Sequence, residues 1–261
     1  MKTMYCLTVT LILSTITGSI AQAQHTDAFF AVGPTGKLVA GQYDFDSNSV
    51  LNVNTRVYEG EFEGPFSNVW TVDEPGFNAL PNTSLGLPSG YMTLPSSTAV
   101  TFNANAFTIG ASTSNLWHWD GSGSVSFAAV TGPTVLEISK SPTAVFSSVL
   151  DGSASDVSGF EIETTATDGF LHKHIDFSVS NTDATAPDAG FYLWAMTFHV
   201  GPSLETDLTY FVHGLGIADE AAHEIAISFV ESALVPEPTS AVLLAGFGGL
   251  ALRRRRHTVS T

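Results

Sequence analysis

The amino-acid sequence predicts an all-β protein, an antiparallel β-sandwich or jelly roll, on three observations. Short runs of β-branched and aromatic residues recur through the middle of the chain. Turn signals such as Gly33-Pro34, Glu74-Pro75-Gly76, Asp120-Gly121, Asp151-Gly152 and Asp168-Gly169 separate them. Sustained helical periodicity is missing. Taken in order, strands are expected over residues 28–32, 38–43, 56–62, 99–102, 124–130, 135–139, 159–164, 175–179, 191–200, 208–212 and 224–230, with one or two helical turns around residues 218–223. Many short strands bounded by turn chemistry favour packed antiparallel sheets. No internal repeat or clear linker interrupts residues 24–234, so they read as one β-sandwich domain, with a split near Pro142 as the alternative. A domain of that length buries about 70% of its unfolded surface.

Composition narrows the function. With 44% hydrophobic, 11% aromatic and 13% charged side chains, the 261 residues are too apolar to be disordered, and collagen-like, coiled-coil and low-complexity classes drop out. Nine Lys and Arg against 25 Asp and Glu leave a net charge of −16. Between residues 25 and 235 only Lys37, Arg56, Lys140 and Lys173 face 24 acids. Such a surface repels phosphate backbones and anionic lipid headgroups, which excludes nucleic-acid binding. The single cysteine, Cys6, lies in a segment expected to be removed. The mature chain then has no disulfide and no thiolate nucleophile, and any metal must be held by His and carboxylates.

Both ends read as addresses. Lys2, the uncharged apolar stretch of residues 7–20 and the small residues of Ala21-Gln22-Ala23 form a secretory signal peptide over residues 1–23, with cleavage expected before Gln24. That stretch is short for ~30 Å of hydrocarbon, which argues against a permanent anchor. At the other end, Pro236-Glu237-Pro238 precedes an apolar run over residues 241–252 and then Arg253, Arg254, Arg255 and Arg256. An apolar helix stopped by a basic cluster is what the positive-inside rule places against the cytoplasmic face. In all three parts residues 235–261 resemble a PEP-CTERM sorting tail. The resemblance implies an inner-membrane intermediate, cleavage near the Pro-Glu-Pro element by an exosortase-type protease, and delivery to the cell surface or an exopolysaccharide matrix.

The sharpest chemical feature is Phe170-Leu171-His172-Lys173-His174-Ile175-Asp176-Phe177. On a continuous strand His172, His174 and Asp176 project from one face, with successive Cα atoms about 6.5 to 7 Å apart. Two imidazoles so spaced can converge on one ion at ~2.0 to 2.1 Å from each nitrogen, while Leu171, Ile175 and Phe177 feed the core. A polar strand face with two solvated imidazoles is the plain alternative. His25-Thr26-Asp27 presents a second histidine and carboxylate by the same alternation. If the two segments meet, His25, His172 and His174 with Asp27 or Asp176 make a tetrahedral N/O site of the kind zinc favours in a cysteine-free chain. His213, at a strand end, is a further candidate; His118 faces away from Trp117 and Trp119, and His199 reads as a hydrogen-bonded core residue.

A second resemblance covers most of the domain. It is carried by His25-Thr26-Asp27, Asp73-Glu74-Pro75-Gly76-Phe77, residues 116–121 (LWHWDG), residues 169–177, Gly190-Phe191-Tyr192-Leu193 and Tyr210-Phe211-Val212. Together these are similar to a family of exported PEP-CTERM proteins under control of the zinc-uptake repressor. The resemblance implies a role in zinc acquisition or binding, and carried over residue by residue it points to His25, His172 and His174.

Three weaker patterns remain. Asp44-x-Asp46-x-Asn48 begins like a calcium loop but has Ser49 and Thr55 where such loops need Gly and Glu, and reads as a turn. Glu59, Glu61 and Glu63 alternate on one face and read as a solvated edge. Trp70, Trp117, Trp119 and Trp194 can stack on sugars, though strand aromatics are mostly core. No nucleophile motif or close acid pair stands out, so the chain reads as non-enzymatic. An exported zinc-binding protein leads, and a structural or carbohydrate-binding matrix component is the alternative.

Overall fold

The computed structural model describes residues 26–235 apart from 46, 85, 141–145 and 218. The signal peptide, His25 and the tail with Pro236, Glu237, Pro238, Arg253, Arg254, Arg255 and Arg256 lie outside the described residues. No helix among the described residues is long and apolar enough to cross a membrane.

The chain is all-β, about 50% strand and 7% helix. Its first third forms β1 (Thr26–Val32), β2 (Leu38–Asp44), β3 (Ser49–Asn52), β4 (Val57–Glu61), β5 (Glu63–Phe66), β6 (Val69–Val72) and β7 (Phe77–Ala79). The middle adds β8 (Ala99–Asn105), β9 (Phe107–Ile109), β10 (Ser112–Ser114), β11 (Trp117–Trp119), β12 (Ala128–Ala129), β13 (Thr134–Ser139), β14 (Ser147–Leu150) and β15 (Val157–Thr164). Last come β16 (Leu171–Lys173), β17 (Asp176–Asn181), β18 (Gly190–Val200), β19 (Leu204–Glu205), β20 (Thr209–Leu215) and the helix α1 (Glu220–Ala233).

A central sheet runs β12-β11-β18-β20-β4, with β8 and β15 continuing from the far part of β18. Its middle strands are apolar on both faces because both faces are covered. Tyr192, Trp194, Met196 and Phe198 of β18 enter the main core, while Phe191, Leu193 and Ala195 enter a second one. The main core is completed by two further sheets, β16-β7-β1-β2-β3 and β14-β13-β17-β6-β5, through residues such as Phe30, Phe77, Ile138 and Phe177. The second core is closed by Ala222, Ala226 and Val230 of α1.

Three findings differ from the sequence-based expectation. Pairing is not wholly antiparallel: β1 with β7 and β4 with β20 run parallel. Each pair joins strands far apart in the chain, which is the condition parallel pairing needs. Residues 224–230, expected as a strand, belong to α1, whose N-cap Asp219 accepts a hydrogen bond from the Ala221 N–H. The expected strand over 124–130 shrinks to β12.

Candidate metal centre

Strand order builds the site. β7 lies between β1 and β16, and its register sets His172 opposite Asn78 and Ala28 level with Phe77. Asp27, one residue before Ala28, therefore stands beside Gly76, whose carbonyl accepts the Ala28 N–H at 2.8 Å. His174 follows the end of β16 and returns over the same glycine.

The side chains converge. His172 Nε2 and His174 Nε2 are 3.1 Å apart, and Asp27 Oδ2 is 3.6 Å from His172 Nε2. One ligand atom from each of Asp27, His172 and His174 lies within 4.8 Å of the others, a possible metal-binding group. Two imidazole nitrogens bound tetrahedrally to one zinc ion stand about 3.3 Å apart, so the observed separation needs little adjustment. His174 Nδ1 is 2.9 Å from the Asp73 carbonyl. A carbonyl cannot donate, so the neutral ring carries its proton on Nδ1 and leaves Nε2 bare toward His172. Backbone-held imidazoles of this kind are common around metals, where the second nitrogen's hydrogen bond fixes ring and tautomer.

Asp27 is only 3% exposed, and its Oδ2 has no hydrogen-bond partner among the described residues. Burial raises its carboxyl to about 6; His174 and hydrogen bonds from the Gly76 backbone and the Asn78 side chain pull it down, and the Glu74 charge pushes it up. Burial, then the neighbouring His174, lowers His172, which favours the neutral imidazole that coordination needs; with His174 Nε2 bare, His172 Nε2 donates across their 3.1 Å contact, a proton that a metal ion would replace. Phe45 covers His172, with ring centroids 4.7 Å apart.

Gly76 makes room for the cluster. A Cβ there would lie 2.7 Å from Asp27 Oδ1 and 2.6 and 2.7 Å from two atoms of the His174 ring. No residue with a side chain fits without displacing both.

A second group shares His174: its ligand atoms gather with those of Asp73 and Glu74, and His174 Nδ1 is 3.9 Å from Glu74 Oε1. Asp73 and Glu74 also line a cleft of about 530 Å³. Other walls come from β4 and β5 with Glu59, Glu61 and Glu63, and from α1 with Glu220, Glu224 and Glu231. No lysine or arginine is among its described lining residues. The glutamates read as a solvated edge are exposed on the end strands β4 and β5, and they also wall the cleft; Glu61 is 3.0 Å from His223 Nδ1.

Several residues read as ligands sit elsewhere. Asp176 is not in the histidine group: it opens β17 opposite Ser139 and lines the cleft, where burial and then the Asp73 charge raise its carboxyl. The strand breaks at His174-Ile175 as the chain passes from one sheet to another, so alternation from His174 does not carry through to Asp176. His213 is not at a strand end near the site but inside β20, fully buried against Phe62, Phe177 and Trp194. Both its ring nitrogens lack partners among the described residues, and burial, then His223, lowers it to about 3. His199 is partly buried beside Asn103, and His118 Nε2 donates to the Ala189 carbonyl. Asp44 accepts from Ser47 Oγ at 2.6 Å in a turn, as read. Sequence reasoning gave no chemical role to Asp73, Glu74 or Gly76, although the turn they form was visible as a motif.

Compared with protein-family models, curated proteins and solved structures, the chain gives no match.

Proposed function

We propose that this is an exported, non-enzymatic protein of the cell surface or extracellular matrix that binds zinc through Asp27, His172 and His174. One observation carries the metal reading: a buried carboxylate oxygen without a partner faces two imidazole nitrogens 3.1 Å apart. Leaving a charged oxygen dry is costly unless a cation or donor answers it. Two nitrogens and an oxygen, without sulfur, suit zinc, which accepts this set at four-coordination. His25, two residues before Asp27, is the ligand we assign to the fourth position. Export rests on the signal peptide and on the resemblance of residues 235–261 to a PEP-CTERM tail processed by an exosortase-type protease. The domain itself we read as β-sandwich-like, its sheets facing one another across the main core.

Of the alternative, a structural or carbohydrate-binding matrix component, the sugar-stacking part is weakened by burial. Trp117, Trp119 and Trp194 are each at most 4% exposed, which leaves Trp70 as the tryptophan with surface for sugar stacking.

Calorimetric titration with zinc at moderate salt tests the reading. The wild type is expected to bind one ion, and His172→Ala combined with His174→Ala to lose at least about a hundredfold in affinity. The double change removes no carboxylate, so equal binding by both proteins would leave only diffuse attraction to the anionic surface.

A further inference from the structure

The cleft and the metal centre meet where Asp73 and Glu74, which line the cleft, stand against His174, which does not. His174 turns Nε2 toward His172 and Nδ1 toward the cleft wall, where Glu74 Oε1 lies 3.9 Å away. Asp73 and Glu74 both line the cleft and gather with His174 as possible ligands. Beyond the ring waits the buried, unpartnered Asp27 Oδ2. We propose that the cleft is the route by which a divalent cation reaches the centre, with Asp73, Glu74 and His174 an outer station that hands the ion to Asp27, His172 and His174. This rests on the zinc reading above.

Charge and shape support the route. A concave surface lined by carboxylates and walled by apolar groups such as Val57, Tyr58 and Ile227 concentrates field lines and raises the local cation concentration. The imidazole then makes the stations alternate. A neutral ring has one proton. Held on Nδ1 by the Asp73 carbonyl, it leaves Nε2 free for the inner group. To bind at the outer station through Nδ1, the ring must release that carbonyl and carry its proton on Nε2, which points the proton at His172. Passing the ion inward releases the Nε2 proton to solvent water while Nδ1 takes one from water and regains the Asp73 carbonyl, with no net gain or loss. One ion per chain is the consequence, although two groups of ligands are present.

Stopped-flow mixing with zinc ions alone tests this. The variant carrying Glu59→Gln, Glu224→Gln and Glu231→Gln changes exposed cleft residues that are in neither ligand group. At low salt it is expected to associate roughly three- to tenfold more slowly than the wild type, with a flatter salt dependence. Its release rate should stay within about twofold, because steering acts mainly on association. An unchanged association rate and salt dependence, or two zinc ions held tightly at once, would overturn the route while leaving the zinc site standing. A wild type that binds no zinc, or binds it equally after the His172 and His174 changes, sinks both.

Discussion

Histidine meets carboxylate at two places, one in the wall of the cleft and one beside its Asp73-Glu74 end, and the two contacts are finished differently. On α1, His223 is 5% exposed; its Nε2 donates to the Val212 carbonyl at 3.1 Å and its Nδ1 lies 3.0 Å from Glu61 Oε1. Every polar atom of that ring has a partner, and the contact ties the helix to β4 and β20. At the other place, His172 and His174 meet Nε2 to Nε2 at 3.1 Å, yet the carboxylate beside them is left incomplete: Asp27 Oδ2 has no hydrogen-bond partner and sits 3.6 Å from His172 Nε2. Completed hydrogen bonds mark a structural histidine. Convergence with an unanswered charge marks a site built for something else. His213 shows that an unpartnered ring alone is insufficient, since aromatic side chains enclose it and no possible metal group includes it.

The comparison breaks first, and most visibly, at Gly76. Gly76→Ala places a methyl group against both Asp27 and the His174 ring, so zinc affinity is expected to fall by about ten- to a hundredfold by calorimetry. The far-ultraviolet spectrum should stay strand-dominated, because His223 and the cores are untouched. Unchanged affinity would mean that the centre does not need the approach of these two side chains.

At the structural histidine the effect is smaller and falls on stability. His223→Ala leaves the Glu61 carboxylate and the Val212 carbonyl without their donor, and should cost about 2 kcal/mol in denaturant unfolding, discounted because Glu61 is half exposed. Zinc affinity should not change. Burial alone would lower the His223 imidazole, but hydrogen bonds to Glu61 and Val212 and the negative charges of Glu61 and Glu59 raise it above 6.5 on balance. A raised folded value means stability that is fully present below 6.5 and lost as pH rises through the folded value. The wild type should therefore lose stability on going from pH 6 to pH 9 relative to His223→Ala; parallel curves would show that the ring is not charged in the folded state.

The unequal visibility of these regions in the sequence has physical causes. His172 and His174 were legible because two-residue spacing puts side chains on one face, and Asp27 because it repeats that spacing after His25. The alternation misleads at Asp176, where the strand breaks and the chain changes sheets. Gly76 matters through a contact with Asp27 and His174, which are 49 and 98 residues away in sequence, and nothing local announces it. Helix α1 was masked by Ile225, Ile227 and Phe229, whose period of two imitates a strand. Its buried residues Ala222, Ala226 and Val230 follow the four-residue period, and Ile225 is 53% exposed. The cleft requires β4, β5, the turn before β7 and α1 together, so neither Glu59 nor Glu231 signals it alone.

The most direct measurement of the central claim is the thermal unfolding of Asp27→Asn with and without zinc. Asparagine keeps an oxygen for Gly76 and Asn78 but removes the buried charge, whose Oδ2 has no hydrogen-bond partner. Without zinc the variant should be more stable than the wild type by about 1 to 3 kcal/mol, a rise of several degrees for a domain of this size. Saturating zinc should raise the midpoint of the wild type and leave that of the variant almost unmoved. A variant that is less stable without zinc, yet gains as much from zinc as the wild type, would contradict the claim that Asp27 is held dry to meet a metal ion.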